Sequence, residues 1–211
     1  MSKAWSKQSY ISKFLSLKSA GDILNIVNPI AHCAKEITES MGVIKRLRNI
    51  ALKEPMKYTL YDLCAGNALT SVIAAHLLPV KNVIALDIRP RKRRWEDCKR
   101  FEYIFSDIYK LSPDFFAEDS IIIGVHSCKN LAKKIIELYN QSQAKHLVLM
   151  PCCEGSLSDQ YQLVCNEMGK QFTWCLELQV ACNGRMYKDQ KVISPKNYII
   201  VANKNKKEGC V

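Results

Sequence analysis

The sequence predicts an α/β fold: a mostly parallel central sheet with helices on both faces and an N-terminal helical extension. Three observations carry that expectation. From Tyr58 onward, short apolar runs alternate with helical segments, as in a chain of βα units. The runs are continuously apolar rather than alternating, which marks strands buried on both faces. Three of them end in an acid or a small-residue loop, at Asp62-Leu63-Cys64-Ala65-Gly66-Asn67, at Leu86-Asp87 and at Ser106-Asp107. Those are the strand ends where open α/β sheets bind ligands.

With 211 residues, 48% of them hydrophobic, the chain is long enough for one well-filled domain with a modest extension. The extension is expected over residues 1–57 and the ligand-binding domain over 58–211. Within the extension, Asn28 is placed to cap a helix that starts at Pro29, where a missing amide hydrogen is harmless. Ile30, Ala34, Ile37, Met41, Ile44, Leu47 and Ala51 then recur at helical spacing and stop before Glu54-Pro55. Strands are expected at Thr59–Cys64, Asn82–Asp87, Tyr103–Ser106, Ser120–Val125, His146–Met150 and Tyr198–Ala202. Helices are expected at Ala68–Leu78, Arg91–Lys99, Leu131–Gln141 and Leu157–Lys170. Gln171–Cys182 fits either a helix or a strand, and Gly184–Lys191 reads as a strand pairing with the last one.

Lysine and arginine total 31 against 20 acids, a formal charge of +11. Such a surplus suits a polyanionic partner, because neutralising phosphates releases counterions. The charge is clustered. Arg89, Arg91, Lys92, Arg93, Arg94, Lys99 and Arg100 follow one strand, Lys45, Arg46, Arg48 and Lys53 mark a helix end, and Lys204, Lys206 and Lys207 lie late in the chain. The segment Met1 to Gly21 has four lysines and no acid or arginine, which fits a basic surface helix or arm better than a transit peptide. No apolar run approaches the roughly 18 residues needed to span a membrane. Ten cysteines without a secretory signal or CxxC spacing point to a reducing compartment, the cytoplasm, with buried thiols such as Cys64, Cys165 and Cys175.

The loop after the first strand is the most informative segment. Its small residues let the backbone approach a ligand, and the helix that follows aims its amides there. Cys64 and Ala68 stand where a dinucleotide fingerprint has glycines, which argues against a pyrophosphate-held dinucleotide. It favours S-adenosylmethionine, a methyl donor without phosphate. Asp87, about twenty residues after that loop, is placed to accept both hydroxyls of an adenosyl ribose. Asp107 can accept the adenine amino group while Ile108 packs on the ring.

The order Asp62-Leu63-Cys64-Ala65-Gly66, Leu86-Asp87, Ser106-Asp107 resembles a class I S-adenosylmethionine-dependent methyltransferase over Tyr58 to Asn203. The fourth strand is followed by His126-Ser127-Cys128-Lys129 and the fifth by Pro151-Cys152-Cys153. That pair resembles a subfamily with His-x-Cys and Cys-Cys motifs. It includes the eukaryotic 2′-O-methyltransferase of the tRNA acceptor stem and the methyltransferase-like domain of a glutathione S-transferase C-terminal-domain protein. The resemblance implies a Rossmann-like methyltransferase fold with S-adenosylmethionine held by Asp62, Cys64, Ala65, Gly66, Asn67, Asp87, Ile88, Ser106, Asp107, Ile108 and His126. This chain departs from the pattern at Ala68 and Lys129, both usually glycine, and lacks histidines after the double cysteine. It also lacks an Asn/Asp-Pro-Pro-aromatic motif, which weighs against methylation of an adenine amine.

His126, Cys128, Lys129 and Cys152 are the candidate catalytic residues. A histidine can take a proton from an acceptor hydroxyl, and a lysine can stabilise a developing alkoxide. A thiolate can attack a pyrimidine ring, or His126, Cys128, Cys152 and Cys153 can gather a soft metal, or the thiols can simply line the pocket. No metal site is assigned, because adjacent cysteines rarely chelate one ion well. Tyr61, Trp95, Tyr103 and Tyr109 are candidates for stacking on a base. The expectation is a methyltransferase acting on RNA, tRNA or rRNA, through the basic segment from Arg89 to Arg100, with no membrane partner. The rivals are a methyltransferase of a small molecule or protein, and a non-catalytic RNA-binding relative.

Overall fold

Seven strands hydrogen-bond into one sheet in the order β3-β2-β1-β4-β5-β7-β6 in a computed structural model that describes residues 8–204. They are β1 (Thr59–Leu63), β2 (Asn82–Asp87), β3 (Phe101–Phe105), β4 (Ser120–Val125), β5 (His146–Met150), β6 (Arg185–Lys188) and β7 (Tyr198–Asn203). The first five run parallel, and β7 enters antiparallel between β5 and β6. Lys3, Lys7, Lys206 and Lys207, part of the positive charge, lie outside the described residues.

The helices are α1 (Tyr10–Leu15), α2 (Ala20–Val27), α3 (Cys33–Ala51), α4 (Leu69–Leu77), α5 (Asn130–Gln141), α6 (Gln162–Met168) and α7 (Lys170–Ala181). Successive strand side chains point to opposite faces, so the apolar runs feed two cores. Ile121, Ile123, Val148, Met150 and Ile199 pack beneath α1 to α4. Ile122, Leu147, Leu149 and Ile200 pack beneath α5 and α7, around the fully buried Trp174. A continuous apolar strand is thus two alternating stripes, each needing its own helical layer.

The structure moves several sequence-based boundaries. Asn28 ends α2 instead of starting a helix, the Asn28-Pro29 peptide is cis, and α3 begins at Cys33 after His32 in the left-handed region. Ile30 and Ala34 are therefore not buried helical positions, whereas Ile37, Met41, Ile44, Leu47 and Ala51 are all buried. Gly169, at φ +81, divides the segment expected as one helix over Leu157–Lys170, which is helical only from Asp159, first as a 3-10 turn and then as α6. Gln171–Cys182 resolves as helix α7. Cys165 sits on α6, which buries no residue, so it is not the core thiol expected; Cys175 is.

The segment Arg91–Lys99 is not an α-helix. It holds only a 3-10 turn at Trp95–Asp97. Pro90 precedes four consecutive basic residues, whose mutual repulsion weakens a helix. Trp95 instead stacks on Tyr103 with ring centroids 5.0 Å apart and donates its indole hydrogen to the Arg91 carbonyl at 3.1 Å. No helix among the described residues is long and apolar enough to cross a membrane.

Candidate functional site

The carboxyl ends of β1, β2 and β4 meet the N-terminus of α4 and the middle of α3. The loop after β1 turns on three left-handed residues, Cys64, Gly66 and Ala68, at φ +65, +59 and +57. Only Gly66 adopts that region without strain; for Cys64 and Ala68 it must be held in place by neighbours. The Ala65 amide bonds the Leu86 carbonyl at 3.0 Å, and the Tyr103 hydroxyl donates to the Gly66 carbonyl at 3.1 Å. Asn67 then tightens the turn into α4, accepting the Leu69 amide hydrogen at 3.1 Å while its own amide donates to Glu36 at 2.5 Å.

Asp87 is 3% exposed, and both its oxygens are engaged. The Gly66 amide donates to Oδ2 at 2.8 Å, and the Arg89 amide and Nε donate to Oδ1 at 2.9 and 3.0 Å. Burial pushes its pKa up, but the Arg89 and Gly66 hydrogen bonds outweigh that and hold the carboxyl below its usual range. Arg89 itself remains 60% exposed on its outer side.

Asp62 is the contrasting acid. It is fully buried, the Ser71 hydroxyl donates to Oδ2 at 2.5 Å, and Oδ1 has no partner. Burial pushes its pKa up to about 7, against the Ser71 hydrogen bond. Asp62 lines a cavity of about 40 Å³ together with Glu36, Ser40, Asn67, Thr70 and His126. A buried oxygen without a partner is costly, and this one opens onto a space ringed by polar groups.

His126 follows β4 at φ +60, its amide bonded to the Met150 carbonyl of β5 at 3.0 Å. Its ring is 30% exposed, and Nε2 lies 2.6 Å from Oε2 of Glu39, a residue of α3 with no exposed surface. In the neutral tautomer that donates from Nε2 to Glu39, Nδ1 is left as an acceptor. Sequence reading missed Glu39, Glu36, Ser40 and Thr70. The available signal was a run of polar residues, Thr38-Glu39-Ser40, in a helix buried all round from Ile37 to Ile44.

Cys128 and Cys152 meet with sulfurs 3.1 Å apart, and Cys153 lies 3.5 Å from Cys152. His126 is turned toward Glu39 instead of joining the thiols as a fourth ligand. Lys129 is exposed. Ile108 is buried in the core, so the apolar surface offered at the strand tips is Ile88, 59% exposed, with Phe105 beside it on the edge strand. Asp107, partly buried, accepts the Tyr109 amide at 3.0 Å; Ser106 donates its amide to the Asp87 carbonyl at 3.0 Å. Of the aromatic candidates, Tyr61 packs on Phe115 and Phe116, Trp95 and Tyr103 stack on each other, and Tyr109 is exposed. Within the basic segment, Arg100 is turned inward, donating to the Val80 and Ala75 carbonyls at 2.6 and 2.5 Å. Arg94 pairs with Asp97 at 2.6 Å, while Lys92 and Lys99 are exposed.

A five-strand parallel run, an antiparallel strand inserted at β7, and acids at the β1 and β2 tips define a class I S-adenosylmethionine-dependent methyltransferase. The family described as a methyltransferase domain matches residues 32–160, and the chain belongs to it. Its cofactor is S-adenosylmethionine. The fold is similar to an rRNA methylase from Streptococcus thermophilus, at 15% identity and TM-score 0.51, covering 77% of this chain and 96% of that one. It is also similar to the CurJ carbon methyltransferase, at 15% identity and TM-score 0.54, covering 92% of this chain and 63% of that one. A third likeness is the methyltransferase domain of bacterial CtHen1, at 11% identity and TM-score 0.50, covering 79% of this chain and all of that domain. At these identities the likeness is one of fold. No curated protein matches the chain.

Proposed function

We propose that the protein methylates RNA, tRNA or rRNA, and that it belongs with the His-x-Cys and Cys-Cys subfamily. The observation that carries the RNA reading is the position of the basic segment. It begins two residues beyond the Asp87 carboxylate, at the rim of the cleft, and keeps Arg89, Lys92 and Arg94 exposed in a chain of net charge +11, before running to the amino end of β3, which puts Lys99 and Arg100 at the far edge of the sheet. The fold neighbours include an rRNA methylase and a carbon methyltransferase, so the acceptor is argued from charge and not from likeness. The meeting of Cys128, Cys152 and Cys153 at adjacent strand tips supports the subfamily, with His126 on the same tip turned toward Glu39. Nine free thiols among the described residues support a reducing compartment such as the cytoplasm.

The residues present fit the donor. S-adenosylmethionine supplies an electrophilic methyl on a sulfonium. The orphaned Asp62 oxygen offers a polar contact to the ligand, and the Cys64 to Asn67 loop leaves its backbone open to close approach. Asp87 would hold the ribose hydroxyls once the exposed Arg89 guanidinium swings away; Asp107 and Ile88 would hold the adenine. His126, oriented by Glu39, would position the acceptor and take its proton, as a carboxylate-held imidazole does. The rest is proximity, the acceptor being held in line with the methyl.

Incubation of the protein with labelled donor and total RNA, followed by digestion to nucleosides, tests the reading. One labelled methylated nucleoside is expected, with transfer falling steeply as salt is raised. Label confined to protein or small molecules would overturn the RNA assignment while leaving the methyltransferase class intact.

A further inference from the structure

Three cysteine sulfurs from two strand tips lie against one another beside the acceptor side of the cleft. Those of Cys128, Cys152 and Cys153 all fall within 4.8 Å, and all three residues are partly exposed, so an ion can reach them from solvent. In a continuing strand, adjacent residues would point to opposite faces, which is the sequence objection to Cys152 and Cys153 sharing a ligand. The structure removes it. Strand β5 ends at Met150, and after Pro151 the backbone brings both sulfurs to the same side, 3.5 Å apart. On the other tip, left-handed His126 and a positive φ at Lys129 bend the chain so that Cys128 faces β5. The Lys129 amide, bonded to the Cys153 carbonyl at 3.3 Å, locks the two tips together.

We propose that Cys128, Cys152 and Cys153 form a three-thiolate site for a soft closed-shell cation, Zn²⁺ or Cu⁺. All three donors are sulfur, which selects such ions over Mg²⁺ or Ca²⁺. Zinc–sulfur bonds of about 2.3 Å put sulfurs roughly 3.8 Å apart in tetrahedral geometry. The present spacings of 3.1 and 3.5 Å reach that by side-chain rotation of less than an ångström. Three protein ligands leave a fourth position open, as in sites that bind a further group. Binding is a displacement without redox change: thiol protons leave to solvent as sulfur–metal bonds form. The sulfurs ligate as thiolates, so metal uptake releases protons. The site stands apart from the RNA reading, since it uses neither the basic segment nor the donor-binding acids.

The full chain, stripped with chelator and kept under a phosphine reductant, is titrated with Co²⁺ in the absence of oxygen. A sulfur-to-cobalt charge-transfer band with the visible bands of a tetrahedral ion is expected, saturating at one equivalent and abolished by Zn²⁺. Cys128→Ser, Cys152→Ser and Cys153→Ser should each weaken uptake at least about tenfold, while Cys165→Ser, on the exposed α6, should not. A Cu⁺ competition against a colorimetric chelator decides between the two ions; uptake of either supports the site. X-ray absorption on the zinc-loaded unmodified chain needs no variant, and sulfur scatterers at about 2.3 Å are expected. A shell of oxygen and nitrogen alone, a charge-transfer band surviving the triple serine variant, or a Cys128–Cys152 disulfide that persists under reductant with no ion bound would each overturn it.

Discussion

The two halves of the cleft are assembled differently. On the donor side, at the tips of β1 and β2, partners are near in sequence: Asp87 with Arg89 two residues on, Asp62 with Ser71 nine on, Gly66 with Asp87 twenty-one on. On the acceptor side, at the tips of β4 and β5, His126 meets Glu39 across 87 residues and Cys128 meets Cys152 across 24. The donor side is built by one βαβ unit and can be read from a short window. On the acceptor side the thiols are likewise set by one such unit, β4-α5-β5, and it is the orientation of His126 by Glu39 that waits for α3 to be laid across the sheet. The strand tips are therefore properties of local motifs, and the seating of His126 a property of the assembled tertiary structure.

That contrast can be broken by substitution. The largest effect is expected at Asp87: Asp87→Ala should abolish S-adenosylmethionine binding, a loss of at least about 100-fold by calorimetry, since two ribose hydrogen bonds to a charge are removed. RNA affinity should stay near the unmodified value. A variant that binds donor normally would detach the β2 tip from the site. Next, His126→Ala or Glu39→Gln should lower turnover about 100-fold, within the range of a lost general base, with donor affinity little changed. Donor binding falling in step with turnover would show that the two sides are not separate.

Asp62 acts on stability, with a pH signature. Burial pushes its carboxyl up to about 7 in the folded protein from the ordinary 3.8. The folded state therefore holds a proton that the unfolded chain has released, and stability declines as pH rises from about 4 to about 7. Asp62→Asn should remove that decline, raising stability by up to about 4 kcal/mol near pH 8 and by about 1.5 kcal/mol near pH 5, as followed by thermal unfolding. A pH-independent difference would mean that Asp62 is not ionising in place. The smallest effect is expected at Arg89, whose exposed pairing with Asp87 is worth about 1 kcal/mol or less. Arg89→Ala should tighten donor binding a few-fold. Weaker binding would mean that Arg89 helps the donor instead of covering its site.

Most of the sheet was legible because its strands are short, apolar and bounded by turn residues. The bounds of β2, β4 and β5 follow from the sequence residue by residue. The Arg91–Lys99 helix was misread because basic residues at helical spacing mimic an exposed helix face, while the decisive contact, Trp95 on Tyr103, belongs to a neighbouring strand. The α3 start was misread because Asn28 serves equally well to end the preceding helix. Glu39 was missed because the polar run Thr38-Glu39-Ser40 reads as a surface stripe until α3 is found buried all round from Ile37 to Ile44.

Strand β7 is made after every other element of the sheet, yet it lies inside, pairing with β5 on one edge and β6 on the other. Ile199 of that strand also touches the position of Gly42 in α3 so closely that an added methyl there would sit 3.3 Å from it. A nascent chain leaving the ribosome therefore leaves the Gly42 flank of α3, the helix that carries Glu39, uncovered until residues near 200 have emerged.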